Sequence, residues 1–444
     1  MIPFSDSRLA FPRLALMFAA LCLSPLASAA EATLDTGTTA WMMTAAMFVL
    51  LMCIPGLALF YGGMVRAKNF LSVFTQLFAI AGVIGVLWVV YGYSIVVDAT
   101  GMVAGEVNLN SFVGGFSKVF MLDMTHDSLV GSIPEGVYSV FQMSFAIITP
   151  ALIAGGFAER MKFSAALAFM ALWFTFVYAP VAHMIWGGPG GLMVNWGVLD
   201  FAGGTAVHIN AGVAALAACL VLGKRKGYPN VAMPPHNLGF TLMGAGLLWV
   251  GWFGFNIGSG AAVNTGAGII MLTTQVAACA GVVGWMLTET LIHGRPSALG
   301  AASGALAGLV GITPACAFVG PAGALAIGLI TGAACFFGVS QLKQKLGYDD
   351  SLDVFSLHGI GGIVGAILTG VFASPALGGY VENLDIVSQV LTQLKGVSFT
   401  FVYCFVVSLI ILKVLQWTIG LRTSGENESV GLDLAEHDER AYSV

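Results

Sequence analysis

The chain has 444 residues, 58% of them hydrophobic and only 9% charged, at a mean hydropathy of +0.90. Soluble domains carry about 25% charged residues, so a water-soluble fold is excluded. The net charge of −5 comes largely from the acidic tail after Gly425, which leaves no basic face for a nucleic acid.

Residues 1–30 carry Arg8 and Arg13, then the apolar stretch Leu14 to Leu23, then Ala27-Ser28-Ala29, the small-x-small pattern that a signal peptidase cuts. They read as a cleaved signal peptide, which leaves the mature N-terminus outside the cytoplasm. The alternative is an uncleaved first helix, for which the apolar core is short against the roughly 20 residues a span needs.

Eleven apolar stretches follow, at 39–63, 70–97, 134–158, 163–185, 200–223, 236–258, 265–292, 298–317, 320–341, 355–375 and 392–421. Backbone polar groups cannot stay unpaired in lipid, so runs of this length must be helices. The predicted fold class is an all-α membrane protein, with a transmembrane domain over 31–421 and a tail over 422–444. The 58 glycines fit closely packed membrane helices. With the N-terminus outside, the connections bearing Arg66 and Lys68, Arg160 and Lys162, Lys224 to Lys226, Arg295, and Lys343 and Lys345 fall in the cytoplasm, as does Arg422. The external segments hold only Lys118 and, beside the start of the last span, Lys395, as the positive-inside rule requires. The tail is then cytoplasmic.

Val207 to Val213 (VHINAGV) in the fifth stretch and Leu357 to Ile363 (LHGIGGI) in the tenth share the order aliphatic, His, two residues, small, Gly, aliphatic. Five spans separate them, so the copies cross in opposite directions. That predicts a five-plus-five inverted repeat with one extra C-terminal helix and a substrate path between the halves. His208 and His358 are either a pair meeting near the midplane, able to share a proton and contact a small polar molecule, or two separate histidines bonded to backbone carbonyls. Asp200, at the external start of the fifth stretch, reads both as a helix cap and as a carboxylate whose field favours cations. Phe141, Phe145 and Trp186 form either packing and interfacial contacts or an aromatic cage for a cation, to which the Ser259 hydroxyl adds an acceptor. The cysteines at 22, 53, 219, 279, 316, 335 and 404 lie singly in apolar runs, without the pairing of a zinc or redox motif, and read as buried packing residues.

Asp200 to Asn210 (DFAGGTAVHIN), Gly251 to Ser259 (GWFGFNIGS), Ala182 to Gly188 (AHMIWGG), Gly308 to Cys316 (GLVGITPAC) and Asp353 to Gly362 (DVFSLHGIGG) closely resemble the ammonium transporter family, which includes the methylammonium permeases and Rh proteins. The resemblance is to its bacterial members and covers the mature chain. The tail, with Gly431-Leu432-Asp433, His437 and Ala441-Tyr442, is also similar, but has Asp438 where the family often has Gly.

The resemblance implies eleven helices around one pore per subunit, a homotrimer in the bacterial inner membrane, and no cofactor. It makes Phe141, Phe145, Trp186 and Ser259 an external ammonium site, with Phe145 and Phe255 stacked as a gate beneath it and Trp252 lining the pore. His208 and His358 match the twin histidines and Asp200 the vestibular aspartate. Ammonium, and methylammonium as a further candidate cargo, would be deprotonated at the gate, with net charge movement. A cytoplasmic PII signal protein is the implied partner, docking on the loops near Arg66, Arg160 and Lys343 and on the tail. Two rivals remain: a sensor that binds ammonium without flux, and a redox enzyme with His208 and His358 as axial haem ligands.

Overall fold

The computed structural model describes residues 33–442; the expected signal segment and Cys22 lie outside them. The described chain is mostly helical. Ten of its helices are long and apolar enough to cross a membrane: α1 (Thr36–Met64), α2 (Ala67–Val97), α3 (Glu135–Phe157), α4 (Phe163–Trp186), α5 (Gly204–Leu222), α6 (Leu238–Gly258), α7 (Thr265–His293), α9 (Pro321–Leu346), α10 (Phe355–Phe372) and α11 (Ile386–Thr418). Where the eighth stretch was expected, α8 (Ala298–Ile312) is a helix of only 15 residues, and the chain then breaks into buried turns at Thr313 and Pro314. The last helix starts at Ile386, earlier than the expected 392, so Lys395 lies more than two turns into α11 rather than beside its start, its Nζ 3.8 Å from the centre of the Trp196 ring.

Small residues set the helix spacing. A Cβ on Gly308 of α8 would lie 2.1 Å from the Ala277 carbonyl oxygen of α7, and one on Gly332 of α9 would lie 2.4 Å from that of Gly281. These backbones touch directly, as membrane helices do when small residues line the seam. Large apolar side chains point outward along α11, among them Val402, Val406, Ile410 and Trp417, where lipid or another subunit has to cover them.

Both histidines sit on π-helical turns, Gly204–Ile209 and Phe355–Ile360, that open α5 and α10. Helix α5 therefore begins four residues after Asp200. Gly203 precedes it with φ +117°, and a Cβ there would lie 2.6 Å from Val207 Cγ2, so this position requires glycine.

At the end of the bundle opposite Trp186, charges that sequence placed on open loops are buried and paired. Glu159 accepts from Arg66 Nε at 3.0 Å, Arg225 Nη1 at 2.9 Å and Asn69 Nδ2 at 2.9 Å. Asp349 accepts from Arg225 Nε at 2.9 Å and Nη2 at 2.8 Å. Arg160 is fully buried and donates to Ser351 Oγ at 2.6 Å, which corrects its expected place on a docking surface.

The tail folds onto this cluster as α12 (Gly425–Val430) and α13 (Leu432–His437). Leu432 N–H donates to Asn69 Oδ1 at 2.8 Å and Ser72 N–H to Asp433 Oδ1 at 2.7 Å. Asp438, which replaces the glycine expected there, has φ +54°, a left-handed conformation that Asp tolerates better than most residues. Cys53, Cys219, Cys316, Cys335 and Cys404 are buried as expected, but Cys279 is exposed on the outer face of α7.

Candidate functional site

Two successive turns of α3 present Tyr138, Phe141, Gln142 and Phe145 on one face, as residues three and four apart must be. Together with Trp186 at the end of α4, Phe201, Ser259 at the end of α6 and Ala261, they line an open cavity of about 190 Å³. Phe141 and Phe145 stand 5.0 Å apart between ring centres, and Trp186 meets Phe145 edge-on at 5.9 Å. Ser259 Oγ donates to the Phe255 carbonyl at 2.8 Å, so its lone pairs remain available to an N–H donor. Sequence reasoning missed Tyr138 and Gln142, although both fall on the stripe that Phe141 and Phe145 define. It also missed Phe201, the neighbour of Asp200.

Directly beneath, the Phe145 and Phe255 rings lie 4.2 Å apart between centres and close the cavity floor. Phe255 is stacked on His208 at 5.8 Å, and Trp252 on the same imidazole at 5.4 Å. Trp252 is held by its Nε1–H, which donates to Thr313 Oγ1 at 2.9 Å; the break after α8 supplies that hydroxyl.

His208 and His358 meet with Nδ1 to Nδ1 at 3.2 Å and ring centres at 5.3 Å. One nitrogen must donate and the other accept. The rings border a cavity of about 10 Å³, otherwise walled by apolar side chains including Leu57, Phe60, Ile148, Leu152, Leu248 and Leu306. That is room for about one water-sized molecule. His208 Nε2 is buried without a partner among the described residues, so a small polar molecule here has an imidazole nitrogen to bond.

Backbone contact permits this meeting. A Cβ on Gly212 would lie 2.2 Å from Gly359 N, and one on Gly362 would lie 3.1 Å from His208 Cβ. Each glycine stands four residues beyond a histidine and lets the opposite segment in.

Asp200 is buried but does not line the cavity. Its carboxylate accepts from the amides of Gly203 (2.8 Å), Gly204 (2.6 Å), Thr205 (2.8 Å) and Ala206 (3.3 Å), and from the Thr205 hydroxyl. The geometry is that of an anchor for the first turn of α5, and so for His208.

Among the described residues no cluster of His, Cys, Asp and Glu fits a metal. The histidines also do not fit as axial haem ligands. Two nitrogens bonded across one metal stand about 4 Å apart, farther than the 3.2 Å seen here, and the stacked rings leave no place for a porphyrin between them.

The model of the Ammonium Transporter Family matches residues 40–442. An ammonium transporter of Bacillus subtilis (strain 168) is 44% identical over 414 residues, covering 92% of this chain and 99% of the relative. The solved structure of Candida albicans Mep2 superposes with a TM-score of 0.80 at 34% identity, covering 89% of this chain and 88% of that one. A solved structure described as a sensor Amt protein gives a TM-score of 0.82 at 28% identity, covering 90% and 98%. With the family model matched over nearly the whole described length and its named relatives transport proteins, the chain is a multi-pass membrane protein, not an enzyme, and belongs to the Ammonium Transporter Family.

Proposed function

We propose that the protein takes up ammonium by binding the ion in the Phe141, Phe145, Trp186 and Ser259 cavity, removing its proton at the Phe145 and Phe255 gate, and passing ammonia along His208 and His358. The observation that carries this reading is the 3.2 Å contact between the two imidazoles beneath a closed pair of phenyl rings. Ring faces attract a desolvated cation by up to about 2 kcal/mol, and the Ser259 oxygen accepts one of its N–H groups. Below the gate the walls are apolar, and an unpaired ion there pays a large desolvation penalty. A neutral molecule escapes that penalty and retains hydrogen bonds to the imidazoles. Potassium is rejected because it has no proton to lose. Asp200 serves by holding the turn that aims His208, and the released proton crosses as well, giving net charge movement.

In this reading eleven helices span a bacterial inner membrane. Helix α8 rises about 22 Å, and the buried residues after it, through Val319, complete the crossing. The histidine segments belong to a five-plus-five inverted repeat, supported by the matching π-helical openings and the reciprocal glycines. After removal of a signal peptide at 1–30, the Trp186 end faces the periplasm, and the buried charge cluster with the tail over 422–444 faces the cytoplasm. Three copies assemble through apolar outer faces, lipid covers the rest, and a PII signal protein docks at the cytoplasmic side on the more accessible loops and tail. Methylammonium follows the same route.

Replacing His208 and His358 together with leucine tests the pore. Selective uptake of labelled methylammonium into vesicles is expected to vanish while the protein stays folded; undiminished uptake by the folded variant would refute the reading. A pure sensor, as the description of one relative suggests for that protein, would show binding with no uptake by the unaltered chain.

A further inference from the structure

The motif Ala182 to Gly188 holds a histidine that the pore does not use. His183 stands in the last turn of α4, three residues before Trp186, and is fully buried. Its Nδ1 lies 2.8 Å from the carbonyl oxygen of Val96, and its Nε2 lies 2.7 Å from that of Asn110. A carbonyl oxygen only accepts, so each ring nitrogen has to bring a hydrogen. Neither neutral tautomer carries two; the imidazolium alone donates from both nitrogens.

The surroundings are built for that charge. A buried cation persists only where hydrogen bonds and opposite charge offset its lost hydration. Val96 lies in the last turn of α2, where carbonyls lack helical partners and the helix dipole ends in partial negative charge. Its neighbours are taken by main chain, Ser94 O by the amide of Asp98 and Ile95 O by that of Gly114, each at 2.9 Å. Asp98, two residues beyond Val96, brings the nearest carboxylate along the chain, fixed by the amides of Thr100 and Ser117 at 3.0 Å each.

These bonds converge on Trp186. His183 ties the end of α4 both to the end of α2 and to the loop 98–134 that runs from α2 to α3. On the other side of Trp186 in the chain the same loop is held again: Gly105 N–H donates to Asn195 Oδ1 at 2.9 Å, and Asn195 Nδ2 to the Glu106 carbonyl at 2.8 Å. The imidazole also lies directly under the turn that carries the indole. A Cβ on Gly187 would lie 2.4 Å from His183 Nδ1, and the Gly187 N–H donates to the His183 carbonyl at 2.9 Å. Trp252 is pinned through its own N–H; Trp186 is pinned through the turn it stands on.

We propose that His183 is a positioning residue for recruitment, an imidazolium whose two opposed hydrogen bonds set the angle at which Trp186 meets Phe145. This rests on the reading of the outer cavity above. A side chain that donates once holds one carbonyl and releases the other, and the turn beneath Trp186 loosens. Attraction to a cation depends on which part of the ring faces it, so affinity falls. The gate and the histidine pair, built on α3, α5, α6 and α10, keep their geometry and their rate.

Two measurements on the full chain test this. Isotopic labels on histidine nitrogen and on valine and asparagine carbonyl carbon let solid-state NMR in lipid at neutral pH pick out His183, as the ring that transfers to one label from each nitrogen. Both nitrogens should carry hydrogen, and one bare nitrogen would overturn the proposal. Uptake of labelled methylammonium into vesicles is the second. His183→Gln donates from one end only and is expected to raise KM roughly fivefold, with the maximal rate within about twofold. Gly187→Ala, which presses a methyl group on Nδ1, should do the same and takes its place should His183→Gln not fold. In a Trp186→Ala background either change should add nothing further, because residues acting as one unit are not additive. An unchanged KM, or the full extra rise in that background, counts against the assignment. Trp186→Ala by itself separates the two ideas: a wild-type KM there contradicts recruitment in this cavity, whereas a raised KM beside an unaltered His183→Gln removes the histidine alone.

Discussion

Gly212 and Gly359 touch backbone to backbone, so closely that a Cβ on the first would sit 2.2 Å from the amide nitrogen of the second. Since the neighbour is main chain, it cannot rotate away. Gly212→Ala is expected to destabilise the protein by about 3 kcal/mol, the upper end for overpacking, and to reduce uptake on the order of 100-fold, the penalty for displacing a reacting group by about 1 Å. Thermal unfolding and labelled methylammonium uptake on the same preparation check both figures.

Ser259 contributes only a hydroxyl oxygen to the outer cavity. Ser259→Ala should raise KM for ammonium roughly fivefold, equivalent to about 1 kcal/mol of a hydrogen bond from a charged donor, and leave the maximal rate within about twofold. Trp186→Ala removes a ring face and should raise KM further. A fall in maximal rate with constant KM would contradict the assignment of this cavity to recruitment.

Asp200 satisfies four amides and a hydroxyl from one buried position. Asp200→Ala strands those donors at about 1 to 3 kcal/mol for each one left unsatisfied. Loss of at least about 3 kcal/mol is therefore expected, together with loss of transport. Asp200→Asn, which retains one acceptor oxygen, should fall between. Calorimetric melting of the three proteins orders them.

The Glu159, Arg225 and Asp349 cluster predicts how stability follows pH. Burial raises both carboxyls, but Arg66 and Arg225 outweigh it at Glu159, and Arg225 with Arg160 does so at Asp349, so each is held below its ordinary value. A carboxyl depressed in the fold contributes stability that is present above its unfolded value of about 4 and is lost as pH falls through the folded one. Melting temperature should therefore hold from neutral pH to about pH 4 and drop below it. Arg225→Ala leaves two buried carboxylates short of a partner, at about 3 to 5 kcal/mol, and should flatten that acid limb. Melting curves across pH test both statements.

Much of the bundle was legible in the sequence because lipid demands long apolar runs, and each of α1 to α11 overlaps one of the expected stretches, whereas the short tail helices α12 and α13 fall on none. Helix openings were less legible. Asp200 acts several residues ahead of the turn it anchors, and hydropathy registers neither the left-handed Gly203 nor a π-helical start. The histidine pair was legible as a possibility through the repeated His and Gly pattern, but the stacking of Trp252 and Phe255 on one imidazole was not, because it joins α5 to α6. The ion cluster escaped for the same reason: Arg66, Glu159, Arg225 and Asp349 come from four separate connections. Read alone, each looks like a charge facing water.

A gap of 3.2 Å between two ring nitrogens has room for a single hydrogen, so while both imidazoles are neutral they are never alike. The one that gives its hydrogen to the bond shows the conduit a bare nitrogen, and its companion shows an N–H. A traveller that both gives and receives hydrogen bonds finds a match at either ring, and ammonia, with three N–H groups and one lone pair, is such a traveller. A gas of similar girth without N–H or O–H groups would leave the bare nitrogen unanswered, so size alone would not secure its passage.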